Sequence, residues 1–396
     1  MRERNARLVL NHIWSAHEIS RADVARQTGL SRSTVTGIVN DLLGLGVVHE
    51  LRVARSNGGR PPILLQLSPG YRLVGVEMGS SHVSAVVCDL WGKPLASASQ
   101  SYDIQGDPPG TVGLMRRLID RCVDEAVNPG DRVVGIGIAV PCPIDPRRPG
   151  QLSTRILPSW GDVDLPARLG EAYGLPVFMD NDANLGALSE RWWGAGQGVG
   201  DFAFIKVATG VGCGHIINGA IYRGANGIAG EIGHTAIDPN GPRCRCGLNG
   251  CLEAMIGSDF LLIRARIKLA TGTASVLEDS PSLSLADILA AAHGGDPLSL
   301  SIIDEAGHHL GVAVANLVNL MNPETVILGG RLTRAGELLL KPLRRAMRDR
   351  ALWTAIERTE VLVSPLGDDA VSLGAATLTL QAALDRPDLF RESIPA

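Results

Sequence analysis

Apolar positions recur at two spacings along the chain, and the change between them divides it. In residues 3 to 16, Leu8, Ile13 and Trp14 lie near helical spacing and predict an opening helix. Ser20 followed by Asp23 resembles a capping box, with Asp in place of the commoner Glu or Gln, and opens a short second helix. Thr28-Gly29-Leu30 makes a turn, and Ser31 caps a third helix over residues 32 to 43. Residues 47 to 67 read as a β-hairpin with Gly58-Gly59-Arg60-Pro61 at its tip. From Tyr71 the pattern changes to short apolar strands. Residues 73 to 90 form two strands around a Gly/Ser turn, and residues 202 to 219 repeat that strand–glycine turn–strand arrangement. Between them come a helix over 111 to 126, a strand from Val133, and a strand from Pro176 that runs into a helix. Residues 258 to 322 read as mostly helical, with a break near 278 to 284, and the apolar stretch 310 to 320 as core or dimer face. A strand then leads into Gly329-Gly330, and a last helix opens after Leu366.

The amino-terminal pattern has the parts of a helix-turn-helix. Ala25 is small enough for close helix approach, Gly29 supplies the turn, and Val35 with Ile38 seal the second helix on the first. The outward start of that helix offers Arg32, Ser33, Thr34 and Thr36, side chains able to reach base edges or phosphates in a major groove. A small helical docking module is the alternative. Arg60, held extended by Pro61, suits a narrow A/T-rich minor groove, although an ordinary Gly/Pro turn would read alike.

Charge supports the division. Residues 1 to 66 carry nine Arg against five acidic residues, a balance of +4, which leaves 28 basic against 36 acidic groups, or −8, in the remainder of the 396-residue chain. A basic end on an acidic body points to where nucleic acid would bind, and the helix-turn-helix pattern points to double-stranded DNA. The length predicts two or three domains. No apolar run reaches membrane length, and the start, Met-Arg-Glu-Arg-Asn, is not a signal peptide. Seven cysteines, an odd count, point to a reducing cytoplasm.

Three of those cysteines crowd into one stretch. His234, Cys244, Cys246 and Cys251 supply the one imidazole and three thiolates of a closed tetrahedral Zn²⁺ site, which is usually structural. Gly247 and Gly250 allow the tight folding that convergence on one ion demands. Glu231 and Glu253 flank the cluster, where a metal-fixed loop would hold them against a polyol. Asn181 and Asp182 stand at a strand end, the place where ligands meet α/β sheets. There a carboxylate can take the proton of an attacking hydroxyl, and the alternative is a helix N-cap.

Gly-Glu-x-Gly-His from Gly230, then Cys-x-Cys-Gly-x-x-Gly-Cys-x-Glu from Cys244, resembles the signature of the ROK family (repressors, open reading frames, kinases). The resemblance implies a two-lobed α/β fold of the actin-like, ribonuclease H-like ATPase class, preceded by an α+β winged helix-turn-helix. It implies boundaries at 1–70 for the winged helix, 71–195 plus a carboxy-terminal helix at 372–396 for the first lobe, and 196–371 for the second, with the zinc loop at 234–251. Asn181, Asp182, Glu231, His234 and Glu253 would bind a monosaccharide or its phosphate, and Asp182 would be the general base of a kinase. Thr209-Gly210-Val211-Gly212 matches the family's second phosphate motif. The first, Asp-x-Gly-Gly-Thr-Lys in the kinases, is here Glu77-Met78-Gly79-Ser80-Ser81-His82, which keeps Gly79 and loses the second glycine and the lysine. Those losses argue against ATP and Mg²⁺. Cys142 replaces the glycine of a Pro-Gly-Pro strand end. The expected function is a sugar-responsive repressor of carbohydrate metabolism, a homodimer or homotetramer on a palindromic operator. An ATP-dependent sugar kinase that also binds DNA is the alternative.

Overall fold

The computed structural model describes residues 2–51, 62–278, 280, 282–392, 394 and 395. Three helices open the chain, α1 (Arg2–Ala16), α2 (Arg21–Thr28) and α3 (Arg32–Gly44). The Ser20 side chain accepts the Asp23 N–H, but Asp23 answers through the Ser20 hydroxyl at 2.7 Å rather than through the Ser20 backbone, so the box is half formed. Ser31 accepts the Thr34 N–H, and Gly29 takes φ 69° between the two helices. Val9, Leu10 and Ile13 face the core, while Leu8 is exposed, which moves the apolar stripe of α1 by one position. Strands Val48–Leu51 and Leu64–Leu67 pair antiparallel, and Ile19–Ser20 adds a third strand beside Leu64 and Leu65. The wing tip, with Arg60, lies outside the described residues.

Two further sheets carry the body. The first has the order Pro94–Ser101, His82–Cys88, Tyr71–Gly79, Arg132–Val140, with Val177–Asn181 parallel to the last and Ile394–Pro395 antiparallel to it. The second runs Ala220–Ile221, Val211–Ile217, Phe202–Val207, Thr325–Gly329, Glu360–Val363. Both are antiparallel hairpins extended by parallel strands, so the carboxyl ends of the parallel strands gather at one cleft. Helix Ala370–Asp385 lies on Tyr71–Gly79 and Arg132–Val140. A Cβ at Gly75 or Gly137 would overlap its backbone at Ser372 or Ala375, so glycine is what permits the approach.

The helical region expected at 258 to 322 consists of Ser258–Ala270, Leu285–His293 and Pro297–Met321. Residues Leu310 to Val318 of the last helix are mostly core, whereas Leu320 is 82% exposed. The helix expected over 111 to 126 begins earlier, at Pro108, because Asp107 caps it and two prolines fit its first turn. One apolar cluster runs unbroken from Val9, Ile13 and Val35 through Tyr71 and Leu73 to Leu380 and Phe390. The helix-turn-helix unit is therefore packed on the first sheet rather than tethered to it. No described helix is long and apolar enough to cross a membrane.

Candidate functional site

The site begins where strand Val177–Asn181 becomes helix Asp182–Trp193. Asn181 is the N-cap: its Oδ1 accepts the N–H of Ala183 at 3.0 Å and of Asn184 at 3.2 Å. Asp182 Oδ1 accepts the Ala183 N–H at 2.8 Å, leaving Oδ2 to face the second lobe. The capping alternative and the ligand-facing one thus describe the same residues. Behind them, buried Asp180 accepts both Nε and Nη2 of Arg223 at 2.9 and 2.6 Å, and also Asn184 Nδ2 at 3.2 Å. That pair ties the strand end to the opposite lobe.

Lys206 was not singled out by sequence reasoning. Its Nζ lies 2.6 Å from Glu77 Oε1 and 2.8 Å from Asp182 Oδ2, with all three side chains largely buried. Burial alone would raise the Glu77 pKa, but Lys206 and His82 bring it down to about 2. Burial works against the Lys206 charge as well, and Asp182 with Glu77 hold its pKa above the ordinary lysine value. The first hairpin turn is drawn into the same network. His82 Nε2 stands 3.5 Å from Glu77, Gly79 sits beneath the His82 ring, and Ser81 Oγ meets Thr209 Oγ1 at 3.1 Å. A lone lysine in the apolar run Phe-Ala-Phe-Ile-Lys-Val was the available signal.

The four expected metal ligands converge. Their donor atoms all lie within 4.8 Å of one another, with Cys244 Sγ 3.8 Å from His234 Nδ1 and Cys246 Sγ 3.6 Å from Cys251 Sγ. A tetrahedron with Zn–S near 2.3 Å requires S···S of about 3.8 Å, so the geometry fits zinc. Gly247 and Gly250 adopt φ 94° and 68°. Burial pushes the Cys251 thiol up to about 12 and raises Cys244, so a cation is what would make this a thiolate set. His234 Nε2 points back toward Glu231 at 3.9 Å.

Asn181, Asp182, Glu231, His234 and Glu253 all line one cleft of about 320 Å³, together with Lys206, Thr209, Gly210 and Gly212. Glu253 accepts the Val211 N–H at 3.2 Å and pairs with Arg245 Nε at 3.1 Å. Burial raises the Glu231 pKa, with His234 opposing and Asp182 and Glu253 adding to it. Cys142, buried, stands at the cleft wall between Pro141 and Pro143. Gly79 is not among the lining residues, and the expected DNA-contacting residues that are described lie elsewhere, on α3. Arg32, Ser33 and Thr36 are exposed and Thr34 is half-buried. Ser31 Oγ lies 2.9 Å from Ser33 Oγ and 2.8 Å from Thr34 Oγ1, which engages those hydroxyls at the helix cap.

Comparison with known proteins agrees with this arrangement. The xylose repressor of Bacillus subtilis is 32% identical over 383 residues, covering 96% of this chain and 96% of the relative. A solved ROK family transcriptional regulator, a homolog of the Escherichia coli MLC protein, superposes with a TM-score of 0.83 at 29% identity, covering 99% of this chain and 98% of that one. A ROK family glucokinase from Streptomyces griseus, solved with glucose and AMPPNP, matches with a TM-score of 0.71 at 29% identity over 78% of this chain and 99% of its own. The repressor and the regulator thus extend over the amino-terminal helices, and the glucokinase leaves about a fifth of this chain unmatched. The ROK family profile itself matches residues 73–382, and the chain belongs to the ROK family.

Proposed function

We propose that the protein is a sugar-responsive DNA-binding transcriptional regulator, a repressor of carbohydrate-metabolism genes. A monosaccharide would occupy the cleft, with hydroxyls donated to Asp182, Glu231 and Glu253 and accepted from Asn181 and His234 Nε2. Zinc held by His234, Cys244, Cys246 and Cys251 would fix the loop that presents His234 and Glu253. Its role there is structural, since all four positions are taken by the protein. Arg32, Ser33, Thr34 and Thr36 would read a major groove, and Arg60, outside the described residues, the adjoining minor groove. A symmetric dimer or tetramer would place two such units on a palindromic operator.

The observation that carries this reading is helix Asp182–Trp193. Its first turn lines the cleft, and its last turn ends in Trp192 and Trp193, whose rings lie 4.9 and 6.1 Å from that of Trp14 on α1. Twelve residues span about 18 Å, so one rigid element reaches from effector to DNA-binding unit. Trp14 Nε1 also donates to the Leu90 carbonyl at 2.9 Å, and Trp193 Nε1 to Thr377 Oγ1 at 2.7 Å, which fixes the rings. A sugar that favours one lobe spacing would tilt this helix and with it α1.

The kinase alternative draws on Asp182 and on the Thr209 to Gly212 turn. The ammonium of Lys206 on Asp182 Oδ2 counts against it, because an attacking hydroxyl would have to share that oxygen with a cation. The test is binding of the full chain to DNA from its own promoter region, titrated with monosaccharides. A sugar that shifts the DNA affinity supports the reading. DNA binding indifferent to every sugar, alongside Asp182-dependent ADP release from Mg-ATP, would replace it with the kinase.

A further inference from the structure

We infer that the cleft selects an uncharged sugar and rejects phosphate, and that Lys206 with its two carboxylates sets this preference; the inference rests on the sugar-sensing reading above. Three kinds of element ordinarily anchor a phosphate: a helix N-terminus, the amides of a glycine turn, and a lysine. All three reach this cleft, and at each of them at least one donor is already held by an oxygen of the chain itself.

At the helix N-terminus, Asn181 Oδ1 and Asp182 Oδ1 share the N–H of Ala183, and Asn181 also holds that of Asn184. At the glycine turn, Glu253 Oε2 accepts the Val211 N–H, and the same oxygen would stand 3.1 Å from a Cβ on Gly210. The lysine is Lys206, its ammonium between Glu77 and Asp182 at 2.6 and 2.8 Å. From the opposite turn, the Ser81 hydroxyl lies 3.1 Å from that of Thr209. Arg245 is taken up by Glu253 and by Asp259 at 3.5 Å. Among the described residues, the one lining arginine or lysine with no carboxylate partner is Arg155, exposed at the mouth.

Away from Arg155, a dianionic phosphate group would meet carboxylates at the helix start, the glycine turn and the lysine, in a setting partly shielded from water. A sugar hydroxyl meets the same carboxylates as acceptors and needs no cation to offset it. The charge pattern therefore discriminates by repulsion as much as by attraction. The triphosphate of a nucleotide faces the same occupied anchors.

The test is isothermal titration of the full chain with D-xylose, D-glucose and N-acetyl-D-glucosamine, each paired with a phosphate monoester of the same sugar. The expected result is a free sugar that binds at least about tenfold tighter than its own ester. Glu77→Gln removes one negative charge behind the ammonium without lining the cleft, and narrows that ratio; Glu253→Gln, which frees the turn from a charge, does the same. An ester that binds as tightly as the free sugar overturns the inference and leaves sugar sensing in place. A ratio unmoved in both folded variants overturns the role of the carboxylates. If no sugar or ester binds or changes DNA affinity, the sugar-sensing reading fails and this inference with it.

Discussion

The Glu77–Lys206–Asp182 bridge ties two sequence-distant carboxylates to one cation, and its pH dependence follows from the directions of the two shifts. Glu77, held at about 2, adds stability that is present above the unfolded carboxylate value of about 4.3 and is lost as pH falls toward 2. Lys206, held above about 10.4, adds stability that is present below that value and is lost as pH rises past it. The bridge is thus complete from about pH 5 to about pH 10. Lys206→Met leaves two buried carboxylates without their cation and is expected to cost about 3–5 kcal/mol at pH 7, read by urea unfolding. That variant should also gain more stability than the native chain does as pH is lowered from 7 to 5. Unchanged stability would mean that the ammonium is solvated. Lys206 was legible as a lone charge in an apolar strand. Its partners were not, because Glu77 lies 129 positions away and Asp182 lies 24 away, and only the meeting of two lobes brings them together.

Elements defined by local spacing were the most readable. His234 to Cys251 folds on itself through two positive-φ glycines and two isolated bridges, so ligand spacing alone predicted the cluster. Cys246 is exposed, and its replacement by serine should be worth no more than about 0.5 kcal/mol if the loop held no metal. Cys246→Ser is expected instead to abolish zinc content, read by elemental analysis, and to lower the melting temperature of the native holoprotein. Full zinc content in the variant would refute the assignment. Asn181 has two roles that separate in one experiment. Asn181→Ala should cost about 1 kcal/mol of stability for the lost cap, and should weaken sugar binding beyond what the stability loss explains. The early start of helix Pro108–Ala126 was readable from Asp107 and its two prolines, but the apolar periodicity begins later and drew the boundary inward. Leu8 misled because helical spacing does not say which of two adjacent apolar positions faces the core.

On the scale of the molecule, the sequence division between a basic end and an acidic body is real in composition but not in packing. Val9, Tyr71 and Phe390 belong to one apolar cluster, and such a joint is invisible to a pattern read in windows. The Trp14–Trp192–Trp193 contact is the proposed route across that joint, because Trp192 and Trp193 close the helix that begins at Asp182. Trp192→Ala is expected to keep sugar affinity within a few-fold and to lose most of the sugar's effect on DNA binding, seen by fluorescence anisotropy of labelled DNA. An undiminished effect would place the coupling elsewhere. Arg32→Ala should weaken DNA binding across sequences and reduce the salt slope by about one if it contacts phosphate, or relax specificity at one base if it reads a groove edge. In the proposed function, one chain couples sugar in the cleft to DNA on α3. The most direct measurement is the affinity of the full chain for its own promoter DNA with and without saturating sugar, in native and Asp182→Ala forms. A change of about tenfold or more is expected in the native chain, equal to about 1.4 kcal/mol of coupling, and none in the variant. Native DNA affinity that no sugar alters, with Asp182-dependent turnover of Mg-ATP in the same preparation, would contradict it.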